Sequence, residues 1–262
     1  MRKGGFGTRP YENDFHKPSE SKNTITARAG KVVLIGAGPG AADLITVRGV
    51  RILAQADVVL HDALVTEDTL ALCPQAVKIS VGKRSGQRSM AQTAINQQII
   101  ASARQHALVV RLKGGDPMLF GRADEELCAL EGAGITVEIV PGITTALAAA
   151  ATVQQPLTQR GIARSVAFFT STNAPEHPEQ TTLPDSDTLV QYMGGNEAIK
   201  TAGRLLEQGR PLHTPVIVIE NCSRPNQKVF RMTLKELARG LDGMTGPVLV
   251  MMGEAMRKRD SE

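Results

Sequence analysis

Three apolar runs in this chain break off into glycine. Val32-Val33-Leu34-Ile35 leads into Gly36-Ala37-Gly38-Pro39-Gly40, Val109-Val110-Arg111-Leu112-Lys113 into Gly114-Gly115-Asp116-Pro117, and Val137-Glu138-Ile139-Val140 into Pro141-Gly142-Ile143-Thr144-Thr145. Aliphatic runs of this length, rich in β-branched residues, read as buried parallel strands. Glycine directly after a strand lets backbone approach a bound group, so each turn is a candidate piece of one ligand floor, although each also serves simply as a tight turn. Asp116 can accept from hydroxyls or an amine, and Thr144 and Thr145 add hydroxyl donors and acceptors; both residue types are also common helix caps. The first turn is expected to open onto a helix from about Ala41, whose free N–H groups favour a polar or anionic ligand. Gly36-x-Gly38-x-x-Ala41, with Asp62 downstream, satisfies the dinucleotide-binding fingerprint. Pro39 argues against that reading. It has no N–H to give where a pyrophosphate would be held, and a ligand without phosphates fits better.

Charged residues cluster near the same turns. Asp62 ends a second apolar strand and is placed for acid/base work or for capping a helix over 66–72. Lys83, Arg84 and Arg88 form a basic loop after a third strand, suited to an anionic substrate and equally to solvent. Arg122 and Glu125 are three apart on an expected helix and share one face, as a surface pair or as a pocket arginine held by a carboxylate. Met193, after the strand ending QYMGG, fits a core or an adaptable pocket lining. The five histidines and three cysteines show no metal-binding spacing.

Alternating strands and helices position these groups. From Lys31 to Thr152 the pattern is strand, helix, strand, five strands in all, which implies a parallel sheet covered on both faces and its carboxyl edge as the ligand side. An alanine-rich helix over 144–153 is stopped by Pro156. Four further strands follow, within SVAFFTST, DTLVQYMGG, TPVIVIENC and GPVLVMMGE, with a short fifth over 227–232 and helices near 197–208 and 234–241. Some of these connections are too short for crossovers, so this second sheet is expected to be mixed. The expected organisation is a tail over 1–30, an N-terminal α/β domain over 31–155 and a C-terminal α/β domain over 156–257.

Composition narrows the function classes. The chain has 262 residues, 42% of them hydrophobic, enough to build proper cores, and a net charge of +4. With no Trp, two Tyr and six Phe, the cores must be aliphatic, and stacking on single-stranded nucleic acid is disfavoured. The longest apolar run falls short of the ~20 residues of a membrane span, and no secretory signal pattern appears. Three widely separated cysteines suit a reducing cytoplasm.

Taken together, GAGPG, VGKRSGQRSMAQTAIN, VVRLKGGDPMLFGR, VPGITT, PLTQR, YMG and the last strand with its Gly-Glu resemble the tetrapyrrole methylase superfamily, and within it the uroporphyrinogen-III C-methyltransferases. The likeness runs from about Lys31 to Glu254. It implies two α/β domains with S-adenosylmethionine in the cleft between them, no metal, and a homodimer. By motif, cofactor contacts carry over to Pro39, Gly114, Gly115, Asp116, Leu119, Thr144, Thr145, Met193, Cys222 and Pro247. Catalytic positions carry over to Asp62, Lys83 and Arg122, with Glu125 supporting Arg122. The implied reaction is methylation of uroporphyrinogen III at C2 and C7 to give precorrin-2. Its eight carboxylates give Lys83, Arg84, Arg88, Arg122 and Arg160 a task in binding, with Met193 beside them.

Four stretches depart from the family pattern. His61-Asp62-Ala63 stands for Tyr-Asp-Arg, Gln159-Arg160-Gly161 for His-Arg-Asp, Ala123-Asp124 for Gly-Gly after the arginine, and Thr170-Ser171-Thr172 for Thr-Gly-His. These bear on substrate grip more than on cofactor binding. Three rival readings remain: a methyltransferase acting on a later precorrin, an NAD(P)-dependent oxidoreductase, and a module that binds without turnover.

Overall fold

The computed structural model describes residues 30–82, 92–171, 182–195, 197–241 and 243–258. The first five strands are β1 (Lys31–Gly36), β2 (Val58–His61), β3 (Val77–Ser80), β4 (Leu108–Lys113) and β5 (Val137–Val140). They form one sheet in the order β3-β2-β4-β1-β5, with every pairing parallel. The reversal of order on either side of β1 and β4 is the switch point where open α/β sheets leave a crevice.

Both faces of this sheet are covered, which is why its strands read as unbroken apolar runs. Val33, Ile35, Val59, Val110 and Leu112 pack toward α1 (Val47–Leu53) and α2 (Glu67–Leu70). Val32, Leu34, Val58, Leu60 and Val109 face α3 (Gln92–Gln105) and α4 (Ala123–Gly132), meeting Ile95, Ile99 and Leu130. The helix expected from Ala41 is not built there. A single 3-10 turn over Ala42–Leu44 intervenes, and α1 starts only after Thr46, whose hydroxyl accepts from the N–H of Gly49. Proline and glycine at 39 and 40 keep the chain extended, so no helix N-terminus points at the first glycine turn.

The second sheet contains β6 (Val166–Thr170), β7 (Thr188–Tyr192), β8 (Pro215–Glu220), β9 (Lys228–Thr233) and β10 (Val248–Met252), in the order β6-β7-β10-β8-β9. Only β6 and β7 run parallel; the other pairs are antiparallel. Its faces are covered by α5 (Thr145–Thr152) on one side and by α6 (Glu197–Glu207) and α7 (Leu234–Leu237) on the other. The small side chains of α5 explain its place. Ala146 and Ala149, fully buried, let the helix lie close on Ile217, Ile219, Leu249 and Met251. The helix that follows β5 of the first sheet therefore belongs to the core of the second.

Candidate active site

The three glycine turns meet because β4, β1 and β5 are neighbours in a parallel sheet. Gly38 and Gly115 exchange backbone hydrogen bonds, 3.2 and 2.7 Å, which fastens the first turn to the second. Gly142 approaches Gly36 so closely that a Cβ on it would stand 2.7 Å from the Gly36 Cα. Asp116 braces the arrangement: one carboxylate oxygen accepts from Met118 N at 2.8 Å and the other from Gly142 N at 2.9 Å. Gly115, at φ +69°, would direct a Cβ into open space. The result is a floor made of backbone.

Above it is a cavity of about 220 Å³ with walls from both sheets. Tyr192, at the end of β7, shares a 2.5 Å hydrogen bond with the Thr144 hydroxyl and accepts from Ala146 N at 3.2 Å. Thr144 is the residue before α5, but its hydroxyl goes to Tyr192 and not to the helix cap. Burial pushes the Tyr192 phenol above its ordinary value, and its ring meets that of Phe120 at 5.0 Å. After β8, Asn221 and Cys222 turn into the cavity, and burial likewise raises the Cys222 thiol. Glu220 accepts from the backbone N–H groups of Thr245 and Gly246, 2.7 Å each, and so fixes the turn that presents Pro247.

Left-handed backbone collects here. Outside glycine, the described residues with positive φ are Phe120, Arg122, Gln154, Met193, Asn221 and Ser223. Phe120, Met193 and Asn221 line the cavity, and Arg122 and Ser223 lie within two residues of the lining. Strain of this kind persists where the surroundings over-determine it, and that happens chiefly at ligand sites.

Beside the cavity is a charged shoulder. Arg111 and Lys113 project from β4 onto the α4 face, each 2% exposed, and meet Glu126, which is fully buried. Glu126 accepts from Arg111 Nε at 3.0 Å and from Lys113 Nζ at 2.9 Å. The far end of Arg111 pairs with Asp62 at the tip of β2. Burial, followed by the charge of Arg111, lowers the Lys113 amine below its ordinary value. Arg122 stands just before α4 and holds Glu125 in a bidentate pair, Nε to Oε1 at 2.6 Å and Nη2 to Oε2 at 2.7 Å. That pairing raises the guanidinium and lowers the carboxyl, so both stay charged. The pair is exposed and available to a ligand. Among the described residues no three His, Cys, Asp or Glu side chains come together in a way that could hold a metal ion.

Residues 31–238 match the family model of the Tetrapyrrole (Corrin/Porphyrin) Methylases. The chain belongs to the tetrapyrrole methylases. Two crystal structures of the uroporphyrin III C-methyl transferase from Thermus thermophilus superpose on it, each with a TM-score of 0.77. The native form is 38% identical and covers 87% of this chain and 94% of its own. The form complexed with S-adenyl homocysteine is 39% identical over 86% and 98%. A siroheme synthase of Actinobacillus pleuropneumoniae serotype 7 (strain AP76) is 43% identical over 232 residues, 87% of this chain and 48% of the relative. The chain thus spans about half the length of the curated relatives it matches.

In this tetrapyrrole methylase, Pro39, Gly114, Gly115, Asp116, Leu119, Thr144, Thr145, Met193, Cys222 and Pro247 all line the one cavity. Asp62 is not a helix cap, since Thr66 caps α2; it sits on the shoulder with Arg122 and Glu125. Arg160 is exposed in the turn closed by the Gln159 and Ala163 bridge and is not among the cavity-lining residues. Lys83, Arg84 and Arg88 lie outside the described residues. Sequence reasoning passed over Tyr192, Phe120, Asn221, Leu64 and Arg224 as cavity walls. A tyrosine in a chain with only two was a usable signal for the first; nothing local marks the others.

Proposed function

We propose that this chain methylates uroporphyrinogen III at C2 and C7, with S-adenosylmethionine as methyl donor, to give precorrin-2. The observation that carries the reading is the cavity itself: a backbone floor from three glycine turns, with a cluster of side-chain charge beside it on the shoulder. A sulfonium nucleoside fits such a floor. It has no phosphates to need the N–H that Pro39 lacks, and the first glycine turn opens onto a short 3-10 turn and not onto an α-helix N-terminus. When bound, S-adenosylmethionine supplies an electrophilic methyl group.

The chain's own residues do the rest. The ten cavity residues hold the nucleoside, and the backbone at 114–116 and 142–145 sets its depth. Alignment of the methyl with an electron-rich pyrrole carbon is the main catalytic contribution, because a held near-attack geometry replaces a bimolecular encounter. Arg122, kept cationic and oriented by Glu125, holds a substrate carboxylate. Asp62, oriented by Arg111, takes the proton that the methylated ring system must lose. Lys83, Arg84, Arg88 and Arg160 complete the grip on the polyanion. The same reading includes two domains, a homodimer and a cytoplasmic location.

The test is anaerobic incubation of the purified protein with enzymatically generated uroporphyrinogen III and labelled S-adenosylmethionine, followed by product mass after oxidation. Two added methyl groups are expected. One methyl, or none despite bound cofactor, overturns the assigned substrate or positions and leaves the family in place.

A further inference from the structure

Arg224 has no part in the reading above. It follows the left-handed Asn221 and Ser223 in the loop after β8, and its side chain crosses to the loops of the first sheet. Its methylenes lie against Gly40, where a Cβ would come 2.8 Å from Cγ, and Nη2 donates to the carbonyl of Leu64 at 2.6 Å. Leu64 and Arg224 both line the cavity.

The electrostatics of this position are incomplete. Arg224 carries five N–H donors, and the Leu64 carbonyl takes one; no carboxylate among the described residues pairs with it. Burial lowers its guanidinium, with no anion to offset the effect. Among the described lining residues it is the one cation, and Asp116, the one carboxylate, has both oxygens engaged by backbone N–H groups. A half-buried guanidinium with open donors is stabilised most by a carboxylate, whose two oxygens match its fork.

We propose that Arg224 is the carboxylate receptor of this cavity. The inference rests on the methyltransferase reading and adds a contact to it. The carboxylate comes either from the amino-acid end of the cofactor or from an acetate or propionate arm of the tetrapyrrole. Both present the same group to the same fork.

Calorimetry on the full chain separates the two sources from a purely structural role. The probes are S-adenosylhomocysteine and 5′-methylthioadenosine, which shares the nucleoside and sulfur but has no carboxylate. Uroporphyrin III, an octacarboxylate followed by its fluorescence, is the third. If the cofactor supplies the anion, Arg224→Gln weakens S-adenosylhomocysteine about 10- to 100-fold and leaves methylthioadenosine within about twofold, and Arg224→Lys recovers part of the loss. If the substrate supplies it, both nucleosides bind the Gln variant normally and uroporphyrin weakens by a similar factor. Parallel weakening of both nucleosides would reduce Arg224 to a strut and overturn the proposal, as would unchanged binding of all three probes. A wild-type protein that binds neither nucleoside overturns the cofactor reading beneath it, a result distinct from anything the variants show.

Discussion

The cavity and the shoulder beside it are built from opposite materials. The cavity floor is main chain: Gly36, Gly38, Gly114, Gly115 and Gly142 bring three strand ends into contact, and the one carboxylate there serves as a brace. The shoulder is side-chain charge, with Asp62, Arg111, Glu126 and Lys113 in one chain of ion pairs and Arg122 with Glu125 at its outer edge. The two share an element, since β4 carries Arg111 and Lys113 and then turns into Gly114 and Gly115. What they teach is a division of labour. Shape made by backbone suits a cofactor that is always the same, whereas charge on an exposed edge suits the polyanionic substrate proposed above.

That division can be broken in four places. The largest effect is expected at Glu126→Ala, which leaves Lys113 buried without its counter-charge and Arg111 with Asp62 alone, and costs about 3–5 kcal/mol, read by urea denaturation. A loss below about 1 kcal/mol would mean the shoulder is not a buried ion network. Next is Arg122→Ala. Its pair with Glu125 is exposed, so stability should move by less than about 1 kcal/mol. With the substrate carboxylate no longer held, turnover should fall about 100-fold through lost positioning while S-adenosylhomocysteine affinity stays within about twofold. If cofactor binding collapsed instead, floor and shoulder would not be separate.

Gly142→Ala probes the other side. The added Cβ meets main chain at Gly36 and Gly115 that has nowhere to move, and affinity for S-adenosylhomocysteine should drop about 10- to 30-fold by calorimetry, about 1.4–2 kcal/mol. Normal binding by this variant would show that the glycine contact does not set the floor. The smallest effect belongs to Tyr192→Phe, about 1 kcal/mol from the lost bonds to Thr144 and Ala146. The Tyr192 phenol is raised in the folded state, so its contribution is whole below about pH 10 and is lost as pH climbs through the folded value. Wild-type stability should therefore fall more steeply above pH 10 than that of the Phe variant, measured by denaturation at stepped pH.

The same contrast governs what the sequence made legible. The floor was readable because glycine after an apolar run is a local signal, and the parallel order of β4, β1 and β5 then brings the three turns together without further information. The lining residues from Pro39 to Thr145 meet for that reason, whereas Met193, Cys222 and Pro247 reach the same cavity from the second sheet. The helix expected from Ala41 failed on equally local grounds: Pro39 and Gly40 hold the chain extended and Thr46 supplies the real cap. The ion network was opaque. Arg111 and Lys113 read as part of a β run, and only the docking of α4 shows that Glu126 covers them. Arg224 lies 160 residues from the carbonyl it reaches, a separation no local pattern spans.

The passage from the first sheet to the second has a mechanical consequence. Gly142 is pinned to the first sheet by Asp116, and Ala146 is already seated on the second, held by Tyr192. Thr144, two residues after Gly142, is already bonded to Tyr192, and only Ile143 lies between; Thr144 and Thr145 line the cavity. The covalent joint between the two halves is thus a single residue long and sits at the floor of the cavity. A crossover this short leaves no slack, so the depth of the floor and the seating of the second sheet are set by the same few residues.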